Sequence, residues 1–209
     1  CQVDVIYSRV VSNFLVPHFF LPVSGFCVPD FMMAYVSGNV SLVEAIGSGV
    51  DDDKAAYAFV PNMIRFYLGE DAILSNSESF LGSKDDDLKY ILENIENLVI
   101  KAVDEAGGYG MLIGPASTKE ECEDFRTRVK ANPRGYIAQP VISLSRHPTF
   151  CDGQLEGRHI DLRPFILTGE KTVVVPGGLT RVALTKGSPV VHSSQGGGSK
   201  DQWVPRGTE

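Results

Sequence analysis

A surplus of positive charge is what this sequence most clearly lacks. Its 209 residues carry 19 Lys and Arg against 26 Asp and Glu, a formal net charge of −7. No basic stripe is available to neutralise a phosphate backbone, which excludes nucleic acid as the main partner. Long apolar runs are missing too, since none approaches the roughly 18–20 residues that a membrane-spanning helix needs. The nearest, residues 14–26, is broken by Pro17, His18, Pro22 and Gly25, so no membrane partner is expected. Cysteine is scarce. Cys1, Cys27, Cys122 and Cys151 lie far apart, without a C-x-x-C pair or metal-ligand spacing. They read as single thiols in a reducing, cytoplasmic setting. No internal repeat is visible.

What remains is ordinary globular material, 43% apolar and 22% charged, long enough for one good core or two lobes of a larger one. The chain opens on Cys1 and reaches a strand-like Val3-Asp4-Val5-Ile6-Tyr7 within two residues. It therefore reads as a fragment or processed piece, and a missing leader carries no information on targeting.

The most informative stretch is 99–110. An apolar strand delivers Lys101 and then breaks into Gly107-Gly108-Tyr109-Gly110, after which Met111-Leu112-Ile113 is strand-like again. Glycines let successive backbone N–H groups turn toward one anion, and a lysine at the strand end adds charge. The spacing is not that of a Walker A loop, nor does the loop open a helix as a dinucleotide fingerprint does. Two readings are open at this point: a nucleotide clamp between antiparallel strands, or a hairpin with a glycine-rich turn.

Elsewhere the first lobe is mixed. A short helix is expected at 30–35. Asp51-Asp52-Asp53 opens another that carries Lys54 in its first turn and runs, bent at Pro61, to Leu68. Leu88, Ile91, Leu92 and Ile95 have helical spacing. Ser117-Thr118-Lys119-Glu120 reads as a capping box for a helix to about Lys130, ended by Asn132-Pro133-Arg134-Gly135. After Tyr136 the pattern turns to strands, at 136–139, 141–144, 158–167, 172–175, 179–184 and 190–194, and residues 195–201 have linker composition. The fold class is α+β.

In 158–167 the alternation places Ile160, Leu162 and Ile166 on one face and His159, Asp161 and Arg163 on the other. Arg181 lies opposite Val182 and Leu184 in the next strand but one. One carboxylate with two arginines meets the requirements of a magnesium–triphosphate site, Asp161 holding the cation and Arg163 and Arg181 offsetting phosphate charge. A structural salt bridge is the plain alternative.

Several long segments, in order, resemble the circularly permuted ATP-grasp family, and in particular its carboxylate–amine ligase-like, glutathionylspermidine synthase-type members. They are 52–70, 107–115, 133–140, 158–165, 175–184 and 193–201, and they correspond to the C-terminal part of that family. The resemblance implies an ATP-grasp fold, two lobes holding ATP between antiparallel-rich sheets. Residues 1–50 would be the remnant of a preceding substrate or linker region, 51–139 the first lobe and 140–209 the second.

It also implies Mg²⁺ and ATP as cofactors and small-molecule or peptide carboxylate and amine substrates. Lys54 and Lys101 take the place of the lysine pair on the phosphates and adenine side. Gly107, Gly108, Tyr109 and Gly110 take that of the phosphate-covering loop, and Gln139 that of the adenine-reading hinge. Asp161 becomes the magnesium ligand, and Ser194, Gln195 and Lys200 fall near the phosphate or metal end. Two positions depart from the pattern: His192 stands where Asn is expected, and Ser8-Arg9 where Arg-Arg is. No late Glu-x-Asn pair is present.

The implied reaction activates a carboxylate as an acyl phosphate for attack by an amine, with release of ADP and phosphate. The protein's share is positioning and charge neutralisation, with Arg163 and Arg181 as the catalytic cations. His159 and His192 are either bases or plain hydrogen-bonding groups. A nucleotide-binding module without turnover and a phosphotransferase are the rival readings.

Overall fold

A computed structural model describes residues 3–7, 31–43, 48–105, 108–192 and 196–202. The chain divides into two compact units, Cys1–Asn76 and Ser77–Glu209.

In the first unit, β1 (Val5–Ile6) and β2 (Ser41–Leu42) pair in parallel, and α1 (Phe31–Val36) lies between them in sequence. Asp53 caps α2 (Lys54–Tyr57), accepting from the Ala55 N–H at 2.7 Å. The expected single bent helix is two helices. α2 ends at Ala58, and α3 (Val60–Leu68) starts with Pro61 in its first turn and ends on Gly69 at φ 69°. Proline suits a first turn because an N–H there has no helical partner. The Tyr57 carbonyl, which a residue with an N–H at position 61 would have capped, accepts instead from the Asn76 amide at 3.4 Å.

The second unit holds two antiparallel four-stranded sheets. The first has the order β3-β6-β4-β5, from β3 (Phe80–Leu81), β6 (Tyr136–Pro140), β4 (Leu98–Ala102) and β5 (Met111–Ile113). Leu98, Ile100 and Ala102 of β4 are buried and alternate with Val99 and Lys101, which are half-buried on the other face. The buried face joins Ile91 and Ile95 to Cys122 and Val129, from α4 (Asp85–Asn94) with the 3-10 turn Ile95–Asn97 and from α5 (Lys119–Ala131). Burial pushes the Cys122 thiol up. Among the described residues Cys122 and Cys151 are free thiols. No helix of the described residues is long and apolar enough to cross a membrane.

The capping box of α5 stands one residue later than expected. Thr118 accepts from the Glu121 N–H at 3.2 Å, while the Glu121 carboxylate accepts from the Thr118 N–H at 2.8 Å. Arg126 then fastens α5 to the end of α4, donating to the Leu92 carbonyl at 2.9 Å and to Glu96 at 2.7 Å. That bond holds the Glu96 carboxyl below the ordinary carboxylate range. Arg126→Met is expected to cost about 1–2 kcal/mol at neutral pH, because a charge-assisted bond to a backbone carbonyl is lost while the half-exposed ion pair adds little. A depressed carboxylate stabilises above its unfolded pKa and loses that contribution as pH falls through its folded one. Urea titrations should therefore show the difference between variant and parent narrowing below about pH 4.

The second sheet has the order β10-β9-β8-β7, from β7 (Arg146–Cys151), β8 (Gln154–Thr168), β9 (Thr172–Val182) and β10 (Gly198–Gln202). β7 was not expected as a strand, and the strand expected at 141–144 is irregular. Asp152 (φ 52°) and Gly153 (φ 81°) form the two-residue turn that joins β7 to β8. The runs at 172–175 and 179–184 merge into β9, irregular in pairing opposite Pro164 to Ile166. Residues 190–192 lie outside the strands.

The linker-like tail carries β10. A Cβ on Gly197 would stand 2.3 Å from the Val191 carbonyl oxygen and 2.7 Å from that of His192, so only glycine lets the chain turn back there. The apolar face expected at Ile160, Leu162 and Ile166 is not a buried one, since Leu162 and Ile166 are 60% and 57% exposed while Arg158 is 3% exposed. Arg158 is buried because Glu156 and the Leu184 carbonyl accept from its guanidinium.

Candidate nucleotide and phosphate site

Lys101 lies in β4 on the face turned away from α4 and α5, and β5 returns beside it in the register Lys101↔Met111. The two strands form a hairpin, closed by the Ala102 N–H donating to the Gly110 carbonyl at 2.9 Å. Gly108 and Gly110 take φ values of 85° and 60°. Both lie in the left-handed region, where glycine is unstrained. Tyr109 between them is exposed. Gly107 lies outside the described residues.

Gly110 has a second constraint. A Cβ there would approach the Ala102 Cβ to 2.9 Å. Gly110→Val is therefore expected to weaken the hairpin itself as well as anything the turn holds, a loss of about 1–3 kcal/mol from strain. Chemical denaturation checks this, an unchanged midpoint refuting it.

Gln139 of β6 stands opposite Val99, one step along the same face from Lys101. The Lys101 ammonium donates to Gln139 Oε1 at 2.7 Å, and Gln139 Nε2 donates to Ser79 Oγ at 2.8 Å. Gln139 is buried at 8% exposure. The sequence brought out Lys101 and Gln139 separately, but nothing in it pointed to Ser79, which precedes a two-residue strand.

On the second sheet the register Asp161↔Arg181 brings together the expected trio. Asp161 Oδ1 accepts from the Arg181 backbone N–H at 3.0 Å. Its Oδ2 accepts from Arg181 Nε at 3.0 Å, Arg181 Nη2 at 2.8 Å and Arg163 Nε at 3.3 Å. Arg181 Nη1 is 2.9 Å from His192 Nδ1. A guanidinium can only donate, so that nitrogen accepts and His192 carries its proton on Nε2. The Arg181 and Asp161 side chains are 13% and 21% exposed, that of Arg163 47%.

This donor set does not fit a magnesium ion. The Asp161 carboxylate already accepts four N–H bonds, all from arginines, and two guanidinium charges oppose a dication. Among the described residues no three His, Cys, Asp or Glu side chains form a group that could hold a metal. Asp161 stands in an ion pair with Arg181 and Arg163.

Lys200 of β10 reaches across to β7. Its ammonium donates to the Pro148 carbonyl at 2.6 Å and lies 3.0 Å from His147 Nδ1, which ties β10 to β7, the two edges of the sheet. His159 Nδ1 donates to the Leu144 carbonyl at 2.8 Å. Ser194 and Gln195 lie outside the described residues. Lys54 belongs to the first unit, at the first position of α2 behind its Asp53 cap.

The family model for circularly permuted ATP-grasp type 2 matches residues 1–183. The chain belongs to that family. ATP-grasp enzymes as a class use ATP and Mg²⁺. An uncharacterized protein of Synechocystis (sll0335) is 52% identical over 99% of this chain and 43% of its own length. One of Mycobacterium tuberculosis (Rv2411c) is 47% identical over 97% of this chain and 37% of its own. A Frankia casuarinae protein named "Putative glutamate–cysteine ligase 2-2" is 41% identical over 99% of this chain and 24% of its own. The chain thus spans less than half the length of these relatives.

Proposed function

We propose that the chain carries the ATP-binding part of an ADP-forming carboxylate–amine ligase. The observation that supports this best is the Lys101–Gln139 pair beside a left-handed glycine turn, on the face of the sheet that α4 and α5 leave uncovered, in a chain of the ATP-grasp family. Lys101 donates to phosphate, Gln139 stands toward the adenine, and the turn at Gly108 and Gly110 covers the phosphates with backbone N–H groups. Arg181, held rigid by Asp161, and the more exposed Arg163 offset the charge that grows as the γ-phosphoryl group moves to a carboxylate oxygen. The two sheets of the second unit supply the two walls of the nucleotide site.

In the reaction the substrate carboxylate attacks the γ-phosphorus, ADP leaves, and an acyl phosphate forms. An amine then attacks the acyl carbon and phosphate departs. The name of the Frankia relative makes glutamate the first carboxylate to try.

The test is incubation with ATP, Mg²⁺, glutamate and hydroxylamine, since hydroxylamine traps an acyl phosphate as a hydroxamate. Hydroxamate formed in step with ADP supports the ligase. Nucleotide binding without ADP release marks a binding module, and a stable phosphorylated product a phosphotransferase.

A further inference from the structure

Four groups in and just ahead of the first sheet are connected by hydrogen bonds that all point one way. The Lys101 ammonium has three donors and no acceptor, so the end of the Gln139 amide that meets it at 2.7 Å must be the carbonyl. The amide nitrogen is then committed to the other side, where Ser79 Oγ lies at 2.8 Å. Because the serine oxygen accepts there, its own proton is available for the Ser77 carbonyl at 3.2 Å. The order is Lys101 to Gln139 to Ser79 to Ser77. No member can be reversed without placing donor against donor.

We infer that Ser79 is a positioning residue for the nucleotide-binding lysine, acting through Gln139. The inference rests on the proposed role of Lys101 and adds a residue to it. The argument is one of degeneracy. A glutamine amide has two nearly isosteric orientations, and only one of them faces the ammonium with oxygen. Gln139 is buried, so water does not compensate a wrong choice. Ser79, fixed by the backbone just ahead of β3, which pairs with β6, selects the productive orientation. With the carbonyl turned toward it, Lys101 is held by a neutral acceptor. A carboxylate in that position would hold the lysine as tightly but bring a negative charge toward the phosphates that it is to meet.

Three variants separate this from a merely structural role: Ser79→Ala, Ser79→Thr and Lys101→Met/Ser79→Ala, the last compared with Lys101→Met alone. ATP affinity is measured by calorimetry and thermal stability by scanning fluorimetry without nucleotide. Ser79→Ala should weaken ATP binding by about 10-fold, the usual scale for one buried hydrogen bond left half-made. Ser79→Thr, which keeps the hydroxyl, should restore it to within about 2-fold. In the Lys101→Met background Ser79→Ala should cost clearly less ATP affinity than it does in the parent, because the lysine it positions through Gln139 is gone.

A Ser79→Ala protein that melts lower yet binds ATP as the parent does overturns the inference and leaves the nucleotide site standing. An equal loss with and without Lys101 overturns it as well. If the parent chain itself does not bind ATP, the nucleotide site falls and the role of Ser79 with it.

Discussion

Lys101→Met should weaken ATP binding about 10- to 150-fold, the cost of one charge-assisted phosphate contact of about 1.5–3 kcal/mol. Methionine keeps the length and apolar stem of lysine and removes only the ammonium. The control is Lys119→Met, which changes an exposed lysine in the first turn of α5 and should leave affinity within about 2-fold. Lys101→Met also strips Gln139 Oε1 of the partner it has at 2.7 Å, so a stability loss of about 1 kcal/mol accompanies it. That cost alone cannot move a binding constant measured on folded protein. Equal ATP affinities for the two variants by calorimetry would mean that Lys101 only steadies Gln139.

The first sheet was the legible part of the chain. Apolar alternation through Leu98, Ile100 and Ala102 and the glycine run at 107–110 define a hairpin by local rules alone, and the hairpin formed with Lys101 where expected. The second sheet was harder because its strands are held by long-range pairing. β8 and β9 are 15 and 11 residues long, and their outer halves expose Leu162, Phe165, Ile166, Leu167, Val173 and Val174, so burial does not follow alternation there. At β7 the local signals conflict: Asp152-Gly153 is a strong two-residue hairpin signal, while Pro148 within the run before it argues against a strand.

The glycines before Lys200 work in the opposite direction. A stretch with linker composition became an edge strand because close backbone approach at Gly197 demands glycine, and its lysine was claimed by β7. The site was legible as a set of residue types. Which charge meets which was not, since that depends on the register Asp161↔Arg181 between strands about 20 residues apart.

That register decides what Asp161→Asn should do. As a metal ligand, Asp161 would be replaceable by asparagine with little change in stability, and the loss would appear as a changed Mg²⁺ dependence of ADP formation. As the anchor of Arg181 it behaves differently. Removing the charge leaves a guanidinium that is 13% exposed facing a neutral amide, beside Arg163. Breaking a fully buried pair costs about 3–5 kcal/mol, and partial exposure of Asp161 brings the expectation down to about 2–3 kcal/mol. ADP formation should fall by more than about 100-fold, because a cation aimed at a developing charge acts only while it is held in place. The double variant Asp161→Asn/Arg181→Met separates the two accounts. If Asp161 works through Arg181, the second change adds little to the first in either stability or turnover. If Asp161 binds a metal on its own account, the two losses add. Additive losses, together with a parent-like unfolding midpoint for Asp161→Asn, would return the carboxylate to the cation and leave Arg181 to the phosphate alone.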